Sequence, residues 1–247
     1  PLSGQYRGRR LMLTLEQAAS GERTYRAREA VRRPLGSTSL IAFVGPTAAG
    51  KNFLMEQSEL PIVGTVTTRE KRPTDGPGYR YLSHDEVLAR IEVGQLVQYA
   101  VHPPNVYGSE LEDYALDAPN AADIYYHAVY ALENKGFENV RAVSVLTPPE
   151  QWMSQLFERF EGMEIGKIFG RLDEARHSLR WIRSQHLGNR ATNRLVVINQ
   201  TDNVVSNIDK IHSFADGKFV PPPSDEATAS AIDAMERTIG TMYSRIT

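Results

Sequence analysis

The stretch LIAFVGPTAAGKN, residues 40–52, decides the fold. Its first half, Leu40–Val44, is an apolar run typical of a buried strand. The residues after it match the phosphate-binding loop (P-loop) G-x-x-x-x-G-K, except that Asn52 stands where a Ser or Thr usually follows. Glycine lets the backbone curl so that successive N–H groups point inward around an anion, and Lys51 adds a full positive charge. The sequence therefore predicts a phosphate-binding loop at the end of a buried strand.

Strand and helix patterns alternate along the chain after this loop. The predicted strands read PIVGTV (61–66), LVQYAV (96–101), AADIY (121–125), VRAVSVL (140–146) and RLVVIN (194–199). The predicted helices lie at 51–58, 83–94, 127–135 and 204–214. Strands separated by helical segments indicate a mostly parallel sheet with helices on both faces. The predicted fold class is therefore α/β, of the three-layer P-loop kind.

The composition predicts an ordinary soluble protein. Apolar residues make up 41% of the 247 residues and charged residues 23%, and the net charge of −2 gives no reason to expect nucleic acid or an acidic membrane as partner. No apolar window approaches the ~18 residues that a membrane span needs. The lack of cysteine excludes disulfides and thiol catalysis, and it fits the cytoplasm. The six histidines lack metal-ligand spacing, so we expect structural roles for them.

Residues 1–37 form a basic stretch. Eight Arg and three Glu give it a charge of +5, which leaves −7 for the rest of the chain. Two interpretations are open: an arm that binds polyanions, or a solvated extension that packs its apolar residues on the main domain. We favour the second because glutamates interrupt the arginines. The apolar residues concerned are Leu11, Met12, Leu13 and Leu15.

A further helix pattern follows three prolines near the end of the sequence. Pro221–Pro223 form a semi-rigid spacer. The apolar residues after it are spaced three and four apart, as in a short heptad seam: Ile232, Met235, Ile239, Met242 and Ile246. Because the seam is short for a coiled coil, we expect this helix to dock on its own domain, with a dimer contact as the alternative.

The segment TVTTREKRPTDGPGYRY, residues 65–81, is the second informative stretch. Arg69 and Arg72 stand three apart, and Tyr79 follows a Gly-rich turn. Two guanidinium groups and a phenolic hydroxyl suit a phosphate monoester. Arginine pairs are also common on solvated surfaces, so this pattern alone leaves both interpretations open.

Taken with the loop, this segment resembles guanylate kinase. The resemblance continues in chain order through QLVQYAVHPPNVYGSE (95–110), ADIYYHAVYAL (122–132), SVLTPPE (144–150) and RLVVINQTD (194–202). It implies a P-loop domain at 38–217, with a small monophosphate-binding part near 65–118 and a mobile helical lid near 158–171. Residues 1–37 and 218–247 are then an extension and a Pro-linked helix.

The resemblance also implies transfer of a phosphoryl group from ATP, with Mg²⁺, to a purine nucleoside monophosphate. The implied ATP-binding residues are Gly45, Thr47, Ala48, Ala49, Gly50, Lys51, Asn52 and Asn199. The implied phosphate-binding residues of the monophosphate site are Arg69, Arg72, Tyr79 and Tyr107, with Thr65, Gln98 and Ser109 facing its base. The implied catalytic residues are Lys51, Arg69, Arg159 and Arg171. The implied Mg²⁺ ligands are Asn52 and Asp123.

Departures from the family pattern concern the metal and the base. Asn52 replaces a hydroxyl that contacts Mg²⁺, and Tyr125 leaves Asp123 as the single carboxylate of its segment. Gln98 stands where the family has a glutamate that accepts hydrogen bonds from guanine, and an amide both donates and accepts. We therefore expect a kinase whose selectivity for the acceptor base is altered.

Two other functions are open at this point. Some guanylate-kinase-like domains bind phosphorylated partners without catalysis, and the changes at the metal site favour that interpretation. A P-loop kinase for another phosphorylated small molecule is the third candidate. The retained loop with Lys51 favours the nucleotide kinase.

Overall fold

A computed structural model describes residues 13–72, 75–186, 193–219 and 226–246. These residues form two compact units. The first unit contains the described residues up to Arg33 together with Gly64–Asp113. The second contains Pro34–Val63 and the described residues from Tyr114 onward.

Strands and helices follow one another along both units. The strands are β1 (Ser39–Val44), β2 (Thr65–Thr67), β3 (Tyr79–Tyr81), β4 (Leu96–His102), β5 (Asn105–Glu110), β6 (Asn120–Asp123), β7 (Asn139–Leu146) and β8 (Arg194–Ile198). The helices are α1 (Leu15–Gly21), α2 (Glu29–Arg32), α3 (Lys51–Gln57), α4 (His84–Glu92), α5 (Val129–Leu132), α6 (Pro149–Phe160), α7 (Ile165–His186), α8 (Val204–Ala215) and α9 (Glu226–Ile246).

The second unit contains a parallel sheet in the order β6-β1-β7-β8. Residues Leu40–Val44 of β1 are at most 1% exposed, so side chains on both faces of this strand are covered. On one face, Ile41 and Phe43 share a core with residues of α3 and α8. Helices α7 and α9 also contact β8. The predicted α/β class with a mostly parallel sheet is confirmed.

The first unit contains a mixed sheet in the order β3-β2-β5-β4. Strand β5 pairs antiparallel with β2 and β4, and β2 pairs parallel with β3. Helix α4 begins after Ser83, whose side chain accepts from the Glu86 N–H in a capping box. Leu13 and Leu15 pack against the core of this unit. Leu11 and Met12 lie outside the described residues.

The prediction of a strand at 61–66 is wrong. Ile62 makes an isolated bridge to Ala121, and β2 begins only at Thr65. The apolar run is divided because the chain passes from the second unit to the first after Val63. At this point a Cβ on Gly64 would lie 2.5 Å from Asp113 Oδ1, so a larger residue would displace the Asp113 carboxylate.

The predicted helix at 127–135 is shorter in the structure. A 3-10 turn at Tyr126–Ala128 leads into the single turn of α5, Val129–Leu132. Gly136 then adopts a positive φ of 108°, which redirects the chain toward β7.

Helix α9 docks within its own unit. Its heptad residues Ile232, Met235, Ile239 and Met242 are at most 1% exposed, and Ile246 is half-buried. The helix contacts α6 and α7, and Tyr243 donates a hydrogen bond to Asp173 Oδ1 at 2.7 Å. The seam is therefore part of a core. Across the described ranges, no helix combines the length and apolar character needed to cross a bilayer.

Candidate functional site

The predicted phosphate-binding loop connects β1 to α3 in the second unit. Ala48 and Gly50 have positive φ angles of 61° and 83°, which give the loop its curl. A Cβ on Gly50 would lie 2.0 Å from Asn199 Nδ2, and one on Gly45 would lie 2.6 Å from the Val145 carbonyl oxygen. Glycine is therefore required at Gly45 by close contact, and at Gly50 by close contact and backbone conformation together.

The side chain of Lys51 is hydrogen-bonded to the loop that precedes it. Its ammonium donates to the carbonyl oxygens of Gly45 at 2.8 Å and Pro46 at 3.3 Å. Asp123 Oδ1, at the end of β6, lies 3.8 Å from the same nitrogen. The Lys51 side chain is only 14% exposed, so these contacts hold a charged group in one place next to the loop.

Asn199, which the family resemblance assigns to ATP, also contacts the loop. Its Nδ2 donates to the Ala49 carbonyl oxygen at 3.1 Å. Trp152 Nε1 donates to the Thr47 carbonyl oxygen at 2.9 Å. These contacts fix the backbone of the predicted ATP-binding residues from outside the loop.

The predicted metal ligands are Asn52 and Asp123. Asn52 is exposed on the first turn of α3, and the Asp123 side chain is 51% exposed. No group of three or more His, Cys, Asp or Glu that could hold a metal occurs within the described ranges. The two side chains that were predicted as metal ligands are therefore both accessible to solvent.

In the first unit, Arg69 forms a bidentate ion pair with Asp75. Its guanidinium nitrogens lie 2.6 and 2.7 Å from the two carboxylate oxygens. Asp75 also accepts from the Tyr81 hydroxyl at 2.5 Å and from the Arg72 backbone N–H at 2.7 Å. The hydrogen bonds from Arg69 hold the pKa of Asp75 well below its usual range.

Two tyrosines pack against the same guanidinium. The Arg69 Cζ lies 4.7 Å from the ring centroid of Tyr79 and 5.7 Å from that of Tyr81. Thr65 lies opposite Tyr79 in the β2–β3 pair, and Arg72 is exposed. The structure thus brings Arg69 and Tyr79 into contact, with Asp75 bonded to the guanidinium of Arg69.

Strands β4 and β5 carry the remaining predicted residues of this unit. Gln98 Nε2 donates to Ser109 Oγ at 3.3 Å, and Ser109 is buried. Tyr107 lies opposite Thr67 in the β2–β5 pair, and its ring packs edge-on against His102. The structure therefore brings together two of the three side chains that were assigned to the base.

The segment predicted as a lid, 158–171, covers the end of α6, a turn and the start of α7. Gly162 in the turn has a φ of 69°. Arg159 is exposed, whereas Arg171 pairs with Glu174 at 2.9 Å. Burial alone would lower the pKa of Arg171, but Glu174 and Tyr125 together raise it.

Comparison with known proteins gives the family. The guanylate kinase of Salinibacter ruber is 31% identical over 135 residues, which span 50% of this chain and 70% of that protein. The chain belongs to the guanylate kinase family. The guanylate kinase of a Synechococcus strain is 30% identical over 61% of this chain and 74% of the relative. That of Lactococcus lactis is 27% identical over 57% of this chain and 74% of the relative.

A solved structure is also similar to this guanylate kinase family member. The crystal structure of guanylate kinase from Anaplasma phagocytophilum matches with a TM-score of 0.48 and 16% identity, over 74% of this chain and 86% of that one. No family model matches the sequence.

Sequence reasoning missed three residues of this family member that contact the predicted sites. Asp75 binds Arg69, while Trp152 and Thr147 donate to loop carbonyls. Asp75 lies between Arg72 and Gly76, and its closeness in sequence to the arginines was a weak signal of an ion pair. Nothing local to Trp152 or Thr147 indicates contact with a loop about 100 residues earlier.

We expect Asp75→Asn to destabilise the protein by about 2 kcal/mol at pH 7, because hydrogen bonds between charged groups are lost around a buried guanidinium. The pKa of Asp75 is lowered in the folded state, so its contribution is present above the ordinary carboxyl pKa of about 4. That contribution is lost as the pH falls further, toward the folded pKa. Urea unfolding at several pH values measures both effects.

The exposed residue Asp209 on α8 provides the control for this test. Asp209→Asn should change the free energy of unfolding by no more than about 0.5 kcal/mol. A difference between wild type and Asp75→Asn that stays constant from pH 7 to pH 3 would show that the ion pair does not stabilise the fold.

Proposed function

We propose that this protein transfers the γ-phosphoryl group of ATP to a purine nucleoside monophosphate, GMP or a similar acceptor. The observation that carries the proposal is the phosphate loop, with Lys51 bonded to the carbonyl oxygens of Gly45 and Pro46. The loop occurs in a chain of the guanylate kinase family. We infer GMP as the acceptor from the name of the relatives. The loop, which keeps both glycines and Lys51, supports catalysis over binding of a phosphorylated partner.

The second unit would bind ATP. The N–H groups of the loop and the Lys51 ammonium would bind its β and γ phosphates, and Lys51 would offset the charge that spreads over the transferring group. Asn199 would act on ATP through the Ala49 peptide to which it donates. Arg159 and Arg171, at the two ends of the proposed lid, would add positive charge to the transferring group. This reaction needs positioned charges rather than a covalent intermediate.

The first unit would bind the monophosphate. Arg69, Arg72, Tyr79 and Tyr107 are the proposed phosphate ligands. Asp75 fixes the Arg69 guanidinium, which reduces the side-chain freedom lost when a phosphate binds. Thr65, Gln98 and Ser109 are the proposed contacts to the base.

The residues at the loop fit Mg²⁺ as kinases bind it. Magnesium prefers oxygen ligands and is commonly held by one or two carboxylates together with substrate phosphates and water. Asp123 supplies a carboxylate and Asn52 an amide oxygen, both on exposed side chains. When bound, the ion would neutralise phosphate charge. We propose these two residues as its protein ligands and the cytoplasm as the site of the reaction.

We further propose that selectivity for guanine is relaxed. Guanine presents N–H donors on the edge that a carboxylate reads by accepting two hydrogen bonds. Gln98 can accept at one atom and donates at the other, and its Nε2 already donates to Ser109 Oγ at 3.3 Å. A site with one acceptor discriminates less between purines than a site with two.

ADP release measured with ATP and GMP, dGMP, AMP or a pyrimidine monophosphate tests the proposal. We expect turnover with purine monophosphates, with GMP preferred by less than about tenfold, and a higher preference for GMP in Gln98→Glu. Turnover with GMP alone would contradict relaxed selectivity. If no acceptor supports ADP release, the kinase proposal is wrong. If ATP also fails to raise the melting temperature, the phosphorylated-partner alternative is favoured.

A further inference from the structure

Three side chains hold the phosphate loop from outside. Trp152 Nε1 donates to the Thr47 carbonyl oxygen at 2.9 Å, and Thr147 Oγ1 donates to the Ala49 carbonyl oxygen at 3.0 Å. Asn199 Nδ2 reaches the same Ala49 oxygen at 3.1 Å. Trp152 and Thr147 are fully buried, so their donors are in a fixed place relative to the loop.

These contacts determine where the loop N–H groups point. In a planar trans peptide, the C=O and the N–H point in opposite directions. Because the Thr47 carbonyl points to Trp152, the N–H of Ala48 points away from the indole. Because the Ala49 carbonyl points to Thr147, the N–H of Gly50 points away from that hydroxyl. The carbonyl oxygens of Thr47 and Ala49, which cannot donate to phosphate, therefore point out of the loop. The N–H groups of Ala48 and Gly50 point in the opposite direction.

We propose that Trp152 is a positioning residue for ATP: its indole N–H orients the Thr47–Ala48 peptide so that the Ala48 N–H faces the phosphates. The inference rests on the proposed function of the loop. Indole is a donor only, with a single N–H, so phenylalanine preserves an aromatic side chain and removes the contact. Without this contact, the loop of Trp152→Phe samples other orientations of the Thr47–Ala48 peptide, and ATP binding must select among them.

The contact between Thr147 and the loop is supported by α9. The backbone N–H of Thr147 donates to Met235 Sδ at 3.4 Å, while its hydroxyl donates to the loop. Met235 is fully buried. The residue that precedes the Pro148–Pro149 start of α6 is therefore held between the last helix and the loop, which places Trp152 one turn further along α6.

The chain contains a matched control. It has two tryptophans, and Trp181 on α7 is also buried, at 9% exposure. Among the residues that the structure describes, no acceptor pairs with Trp181 Nε1. Its ring packs edge-on against Tyr130, with 6.4 Å between centroids. Trp152→Phe and Trp181→Phe therefore remove the same atoms from buried side chains, and only the first removes a hydrogen bond to the loop.

Steady-state kinetics of the two variants test the inference. We expect Trp152→Phe to raise the KM for ATP about tenfold and to leave the KM for GMP within about twofold, whereas Trp181→Phe changes neither. Equal increases for both substrates, or the same effect in both variants, would overturn it. If the wild-type protein itself releases no ADP, the proposed function fails instead, so the two failures are distinguishable.

Fluorescence provides a second test that does not depend on the folding of Trp152→Phe. Trp181→Phe retains Trp152 as its single tryptophan. We expect its emission to change when ATP is added, with saturation at the ATP dissociation constant, and not when GMP is added. Calorimetry supplies that constant independently. ATP binding by calorimetry without any change in Trp152 emission would show that the peptide held by the indole does not face the bound phosphates, which would overturn the inference.

Discussion

Lys51→Ala is expected to lower the rate of phosphoryl transfer by about a hundredfold to a thousandfold, the loss typical for a group that binds transition-state charge. In the structure, the ammonium is held by the carbonyl oxygens of Gly45 and Pro46 and lies 3.8 Å from Asp123. A methyl group at this position cannot offset charge on a phosphoryl group. Single-turnover rates at saturating ATP and GMP separate this effect from weaker binding.

An exposed lysine outside the proposed lid provides the control. Lys218 is 76% exposed and lies 2.7 Å from Asp216, so Lys218→Ala should alter the rate by no more than about twofold. Both variants should melt near the wild-type temperature, since the Lys51 ammonium bonds to the loop and lies near a half-exposed carboxylate rather than in the core. If Lys51→Ala keeps more than about a tenth of the wild-type rate, the loop is not the catalytic phosphate site.

Ile239→Ala is expected to destabilise the protein by about 2–5 kcal/mol, the range for a large-to-small change in a packed core. Ile239 is fully buried on α9, between the equally buried Met235 and Met242. The substitution leaves a cavity between α9 and the helices that it contacts, α6 and α7. Denaturant unfolding measures the loss as a lower midpoint at constant slope.

Val205→Ala on α8 is the matched surface change, because Val205 is 76% exposed. It should alter the free energy of unfolding by less than about 0.5 kcal/mol. A loss of the same size in both variants would show that α9 does not belong to the core. A lower unfolding midpoint only at low protein concentration would show instead that the buried face of α9 pairs with a second chain.

The phosphate loop could be predicted from sequence because its determinants are local. A buried strand, two glycines and Lys51 lie within one short stretch, and the positive φ at Gly50 is the feature for which the motif requires glycine. The parallel sheet followed from the same kind of pattern, because strands covered on both faces are continuously apolar.

Strand β5 could not be recognised in the same way. Its sequence NVYGSE contains a glycine, which indicates a turn. In the structure, a Cβ on Gly108 would lie 2.9 Å from the Gln98 carbonyl oxygen of the neighbouring strand, so the glycine permits close approach within the sheet. This requirement comes from a residue on another strand and leaves no periodic signal.

The partners of the predicted site residues were missed for a related reason. Trp152 and Thr147 are 105 and 98 residues from the loop positions to which they donate. A tryptophan on a helix predicts burial, and its single N–H requires a partner, but the sequence does not say which carbonyl is brought within reach. The identity of the partner is decided by the packing of α6 within the second unit.

The first unit also has an order of assembly imposed by protein synthesis. Tyr25 donates to the Leu96 carbonyl oxygen and Tyr99 to that of Ala18, with the two rings 4.9 Å apart between centroids. A ribosome adds about 5–20 residues per second, so α1 is made several seconds before β4 exists to cover it. Ala18 is 1% exposed in the folded unit and shares a core with Leu96 and Tyr99 of β4, so this part of its core is missing during that interval. A delay in translation between Arg33 and β4 should therefore lengthen exposure of this segment to proteases and chaperones.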